Sequence, residues 1–129
     1  MLNTHLNTAL LFRCFAFFMT IFLTLPASLA SAEETVMDKE VDYLINAITQ
    51  SQAVFIRNGT EHSSSEAADH LRMKYKRGKK YLSSAEDFIE KVATKSSITK
   101  KPYWIIEPGQ AKQESAVWLS KKLALYRQP

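Results

Sequence analysis

Apolar positions are laid out in two ways along this chain. From Cys14 to Leu25 they run almost unbroken (CFAFFMTIFLTL), whereas from Val41 onward they recur at intervals of three and four or in short extended blocks. The unbroken run follows a stretch whose only Lys or Arg is Arg13, and it precedes Pro26 and the small-residue sequence Ala27-Ser-Leu-Ala-Ser-Ala32. A weakly basic start, an apolar core and a small-residue end are the layout of a cleaved secretory signal. The 12 residues of the core, as helix, reach only about 18 Å against roughly 30 Å of bilayer hydrocarbon, so no stable membrane span is expected after processing. Cleavage after Ala32 is preferred to cleavage after Ala30. The predicted organisation is a signal over 1–32 and one globular domain over 33–129.

Within the second part, Val41, Leu44, Ile45 and Ile48 share one face of a helix over about 38–52, preceded by a polar, frayed stretch at 33–39. Val54-Phe55-Ile56-Arg57 is β-prone and runs into Asn58-Gly59, with Thr60-Glu61-His62 as the return strand. A type I′ turn needs positive φ at both central residues, and Asn-Gly supplies it. Ser63-Ser64-Ser65-Glu66 predicts a capping box. The helix it opens buries Ala67, Leu71 and Tyr75 and stops at Gly78. Ser83-Ser84-Ala85-Glu86 predicts a second box, starting a third helix buried through Ala85, Phe88, Ile89, Val92 and Ala93. Pro102 introduces an extended Tyr103-Trp104-Ile105-Ile106, and Pro108-Gly109 turns the chain. Ser115 caps a last helix bearing Trp118, Leu119, Leu123 and Tyr126, with both tryptophans assigned to the core. This order predicts an α+β fold: a helix-dominated single domain of about four helices with a small sheet of two or three strands.

Charge and cysteine content narrow the function classes. Losing the signal removes one of 17 Lys/Arg and none of 13 Asp/Glu, leaving a formal charge of +3. That excess is too small for a nucleic-acid partner. Cys14 is the only cysteine and lies in the signal, so the mature domain has no disulfide and no thiolate ligand and must be held by packing. His62 and His70 are not three or four residues apart, and neither a metal site nor a cofactor is expected. The serines cluster at predicted helix starts, where capping accounts for them. With no Gly-x-Ser-x-Gly elbow and no phosphate loop, no residue is assigned as catalytic.

Cations carry the candidate chemistry. His70, Lys74 and Arg77 stand at i, i+4 and i+7 on one face of the second helix, turned away from Ala67-Leu71-Tyr75. Glu66, four residues before His70, favours its protonated form. Arg72, Lys74, Lys76, Arg77, Lys79 and Lys80 crowd the helix end. Such charge complements a helix C-terminus, and it also suits recognition of an anion or an anionic surface. An aromatic or leucine-rich opposite face, as in a membrane-lying helix, is missing. Arg57, beside the turn, is placed either to pair with an internal acid such as Asp87 or to hold a ligand carboxylate in a cleft. The candidate ligand-binding set is therefore Arg57, His70, Arg72, Lys74 and Arg77. It suggests a non-catalytic envelope binding or adaptor module whose partner is an envelope protein or an anionic envelope component. The rival is a small hydrolase acting on cell-wall or lipid substrate with His70 as acid/base, which requires His70 to face into a concave cleft beside Arg57.

Phe55-Ile56-Arg57-Asn58-Gly59, Glu66-Ala67-Ala68-x-His70-Leu71-Arg72-x-Lys74-Tyr75 and Ala85-Glu86-Asp87-Phe88-Ile89 form a specific combination. With Lys95-Ser96-Ser97, Lys101-Pro102-Tyr103, Trp118-Leu119 and Tyr126-Arg127, it resembles a family of small exported bacterial proteins catalogued as a domain of unknown function, over roughly residues 40–127. The resemblance implies export, to the periplasm in a Gram-negative cell, and implies no activity. Many members carry a cysteine just before the Phe-Ile-Arg-Asn-Gly strand and another at the end of the Tyr103 strand, positions held here by Ala53 and, approximately, Glu107. Joint absence fits a lost bridge, so the resemblance implies that these two residues are neighbours, with Cα atoms within about 7 Å.

Overall fold

The computed structural model describes residues 34–129; the signal assigned to 1–32 lies outside them. Helix α1 spans Val36–Gln50 and buries Val41, Leu44, Ile45 and Ile48 as its periodicity requires. It begins earlier than the pattern predicts, because Thr35 and Asp38 form a complete capping box within the stretch expected to fray. Strands β1 (Val54–Arg57) and β2 (Thr60–His62) make the expected hairpin, with φ of 55° at Asn58 and 82° at Gly59.

Helix α2 covers Ser64–Gly78, and both arms of the Ser63–Glu66 box are closed. Gly78 is not a left-handed stop: its φ is −102°, and the chain tightens into a 3-10 turn over Lys79–Tyr81. The second box is shifted by one residue. Ser84 caps Asp87, and the Asp87 carboxylate takes the Ser83 N–H at 2.8 Å. Helix α3 is α-helical only over Ala85–Phe88, then widens into a π-helical turn over Ile89–Ala93. Thr94 Oγ1 donates to the Ile89 carbonyl five residues back at 2.6 Å, an i to i+5 bond matching that wider turn. Strand β3 is Trp104–Ile106, β4 is Gln113–Glu114, and α4 is Ser115–Tyr126. Ser115 is not a cap. Its hydroxyl instead donates to the Ala93 carbonyl at 2.7 Å, tying α4 to the π-helical turn.

The strands form one antiparallel sheet in the order β2-β1-β3-β4. It has four members, one more than the largest expected sheet, because the two-residue β4 is too short to show a period of its own. Alternation sends Phe55 and Ile105 into the core and leaves Ile56 and Trp104 on the outer face, where Trp104 is half-buried rather than core. Trp118 is core, at 3 % exposure. The fold is α+β, with the helices packed on one side of a small sheet. Val54 pairs with Ile106, so Ala53 and Glu107 are the next residues on either side of that pair. Directly opposed residues of an antiparallel ladder have Cα atoms about 4.5–5.5 Å apart. The family resemblance implies that the ladder's geometry extends this one residue further, to Ala53 and Glu107.

Two polar clusters tie the helices together. Asp38 accepts from Tyr75 Oη at 2.7 Å and from Lys79 Nζ at 2.5 Å, joining the start of α1 to the end of α2. Arg127 forks across Glu40 (Nε at 2.6 Å, Nη2 at 2.9 Å) and also grips Glu86, joining α1, α3 and the end of α4.

Candidate functional site

Strand alternation places Arg57 on the same side as Phe55, facing α2. There it lines a narrow recess with His62, Glu66, His70, Leu71 and Tyr103. His70 and Lys74 are not turned to solvent as expected. They lie at the flank of the Ala68-Leu71-Tyr75 stripe, and the sheet closes over that flank. His70 Nε2 is 3.5 Å from Tyr103 Oη, and the rings meet edge to face. Burial, then the positive charges of Arg57, Lys74 and His62, push the imidazole down to about 4. This is opposite to the direction expected from Glu66. The Glu66 carboxylate is engaged elsewhere, taking the Ser63 N–H at 2.8 Å and hydroxyl at 2.9 Å.

Lys74 is an internal cap. Its Nζ donates to the Val92 carbonyl at 2.5 Å, lies 3.4 Å from the Lys95 carbonyl and sits 5.2 Å from the centroid of the Tyr103 ring. Burial, then the charge of Arg57, holds its ammonium below the usual lysine range. Burial raises the Tyr103 phenol against the opposing charge of Arg57. Arg57 does not pair with Asp87, which is taken by Lys91 at 2.7 Å. Among the described residues Arg57 joins no ion pair.

The five candidates therefore divide. Arg57, His70 and Lys74 gather around Tyr103. Arg72 pairs with Asp69 at 2.9 Å on the exposed side of α2. Arg77 joins Lys74, Tyr81, Leu82, Lys91 and Ser97 around an open groove of about 390 Å³. The segments that form this groove also carry Lys76, Lys80, Lys95, Lys100 and Lys101. None of these five, nor Arg77, is in an ion pair among the described residues. Tyr81 is 70 % exposed, and Ile98, next to Ser97, is 91 % exposed. Reading α2 alone missed these apolar tips, because they come from the 3-10 turn and the 96–101 loop. The local signal for Ile98 was a lone apolar residue inside a lysine-flanked polar run; Tyr81 directly follows Lys79-Lys80.

His70 does lie in a recess beside Arg57, the placement the acid/base reading requires. The recess is a cavity of about 30 Å³, room for one or two waters, whereas small-molecule sites span roughly 300–1,000 Å³. Neither a glycan nor a lipid substrate fits there. The carboxylate on its wall, Glu66, is bound to Ser63 and does not orient the imidazole. The placement is met and the hydrolase chemistry is not supported.

Residues 35–127 match a family described as a family of unknown function (DUF5329). The chain is also similar to the uncharacterized protein YfeK of Salmonella typhimurium, 41 % identical over 85 residues, which cover 64 % of this chain and 68 % of that protein. No solved structure matches the chain.

Proposed function

The chain belongs to the DUF5329 family of unknown function, and from that footing we propose that it is an exported, non-catalytic module that docks on the anionic phospholipid surface of the bacterial envelope. The observation that carries the reading is the groove lined by Arg77 and the exposed Tyr81, with the Lys80 ammonium 4.9 Å from the Tyr81 ring centroid, and with the exposed Ile98 next to Ser97 on its wall. Each Lys or Arg held near an anionic leaflet contributes about 1 kcal/mol, screened by salt. An aromatic and an aliphatic tip among those cations suit the interfacial layer of a bilayer better than a freely soluble anion. Export and periplasmic residence, with residues 1–32 removed and 33–129 as the working domain, rest on the apolar run and small-residue end of the amino-terminal segment.

The test uses protein purified from cells expressing the full chain, with the mature amino terminus read by mass spectrometry. It should start at Glu33 or Ser31 and co-sediment with phosphatidylglycerol vesicles but not with phosphatidylcholine vesicles, with binding that weakens as salt rises. The double variant Arg77→Glu/Lys80→Glu should lose binding, and Tyr81→Ala/Ile98→Ala should weaken it at low salt. Equal sedimentation with both lipids, or none with either, overturns the docking reading; an uncleaved chain overturns export.

A further inference from the structure

A second concavity lies between the C-terminal half of α1, the residue after β3 and α4. Tyr43, Asn46 and Gln50 stand at i, i+3 and i+7 on α1, Trp118 and Lys122 at i and i+4 on α4, and Glu107 closes the side. Its volume is about 350 Å³, within the span of small-molecule sites, roughly 300–1,000 Å³.

Three features of this wall suit a small polar ligand. Glu107 and Lys122 carry opposite charges, are half-buried, and belong to no ion pair among the described residues. The side-chain amides of Asn46 and Gln50 stand exposed at the pocket edge, within reach of anything bound there. Trp118 is 3 % exposed, and its Nε1 is the one buried side-chain polar atom among the described residues without a partner. Native structures rarely leave a buried N–H unpaired, so an orphan in the wall of a polar pocket points to an absent acceptor.

We infer that this pocket binds a small zwitterion carrying both an ammonium and a carboxylate: a free amino acid or a short peptide. The ammonium is held by Glu107. The carboxylate is drawn to Lys122, whose Nζ lies 5.0 Å from the centroid of the Trp118 ring that carries the unpartnered indole N–H. Asn46 and Gln50 meet the remaining donors and acceptors. The site is separate from the cationic groove, and it stands or falls independently of lipid docking.

The test is isothermal titration of the purified exported protein with glycine, L-alanine, D-alanine and the matching dipeptides, beside their N-acetyl and C-amide forms. At least one zwitterion should bind, with affinity reduced tenfold or more by either blocking group. Glu107→Gln should abolish the preference for a free ammonium, and Lys122→Met the preference for a free carboxylate. Both positions are half-buried at the surface, and circular dichroism checks that the variants remain folded. No binding by any zwitterion up to 10 mM (roughly the weakest affinity of interest), or equal binding of blocked and free forms, overturns the inference.

Discussion

Tyr75 shows how one hydroxyl can hold two helices. Its ring is buried edge-on against Phe88, while its Oη donates to the Asp38 carboxylate at 2.7 Å. Lys79, Tyr75 and Thr35 together keep that carboxyl well below the usual range. Tyr75→Phe keeps the packing and deletes one hydrogen bond to a charged group, so urea denaturation should show a loss of about 1.5–3 kcal/mol. His70 acts in the opposite sense. Its folded value of about 4 lies below its ordinary 6.5. The unfolded chain therefore takes up a proton as pH falls through 6.5, and the folded chain does not until about 4. Stability falls across that window and then levels off for this group. The depressed carboxyls of Asp38, Glu66, Glu86 and Asp87 add a loss that begins as pH falls into their unfolded range and continues until it passes their folded values. Unfolding free energies compared at pH 7.5 and pH 5 should fall less in His70→Gln than in the parent; an identical drop would refute the assignment.

At the scale of elements, most of the regular structure could be read from local chemistry. The β1–β2 hairpin follows from Asn58-Gly59, the start of α2 from Ser63 and Glu66, and the buried stripe of α1 from Val41, Leu44, Ile45 and Ile48. What escaped was decided by contacts that helical and strand spacing do not show. Strand β4 exists because β3 pairs with it, and the π-helical turn is held by Thr94 within the chain and by Lys74 from α2. The inward placement of His70 depends on the sheet lying over the flank of α2, which helical spacing cannot reveal. Arg57, His70 and Lys74 were identifiable as chemistry-bearing residues; their mutual neighbourhood around Tyr103 was not. Register gives a direct test of the β1–β3 pairing. The pair Ala53→Cys/Glu107→Cys should oxidise to an intramolecular disulfide in the purified protein. The link should raise the melting temperature, since closing a loop of this length is worth about 4 kcal/mol in the chain-entropy account. Two persistent free thiols after oxidation would contradict the register.

For the molecule as a whole, Arg127 matters out of proportion to its position beyond the last turn of α4. Its guanidinium bridges Glu40 on α1 and Glu86 on α3, fastening the end of α4 to both at once. Arginine's planar fork makes this possible, and a lysine supplies only a point charge. Arg127→Ala should lower the melting temperature by more than about 5 °C, a large shift for a domain of this size. Arg127→Lys should recover less than half of it, and Glu86→Gln, on the exposed partner, should cost least.

The two indoles occupy contrasting surroundings: Trp118 is 3 % exposed, and Trp104 lies half-buried on the open sheet face with the Lys112 ammonium 4.6 Å from its ring centroid. The protein consequently carries two intrinsic optical probes of different colour. Iodide should quench the redder emission of Trp104 and spare the bluer emission of Trp118. Loss of the sheet face and loss of the core can thus be followed separately, in one sample and without a label.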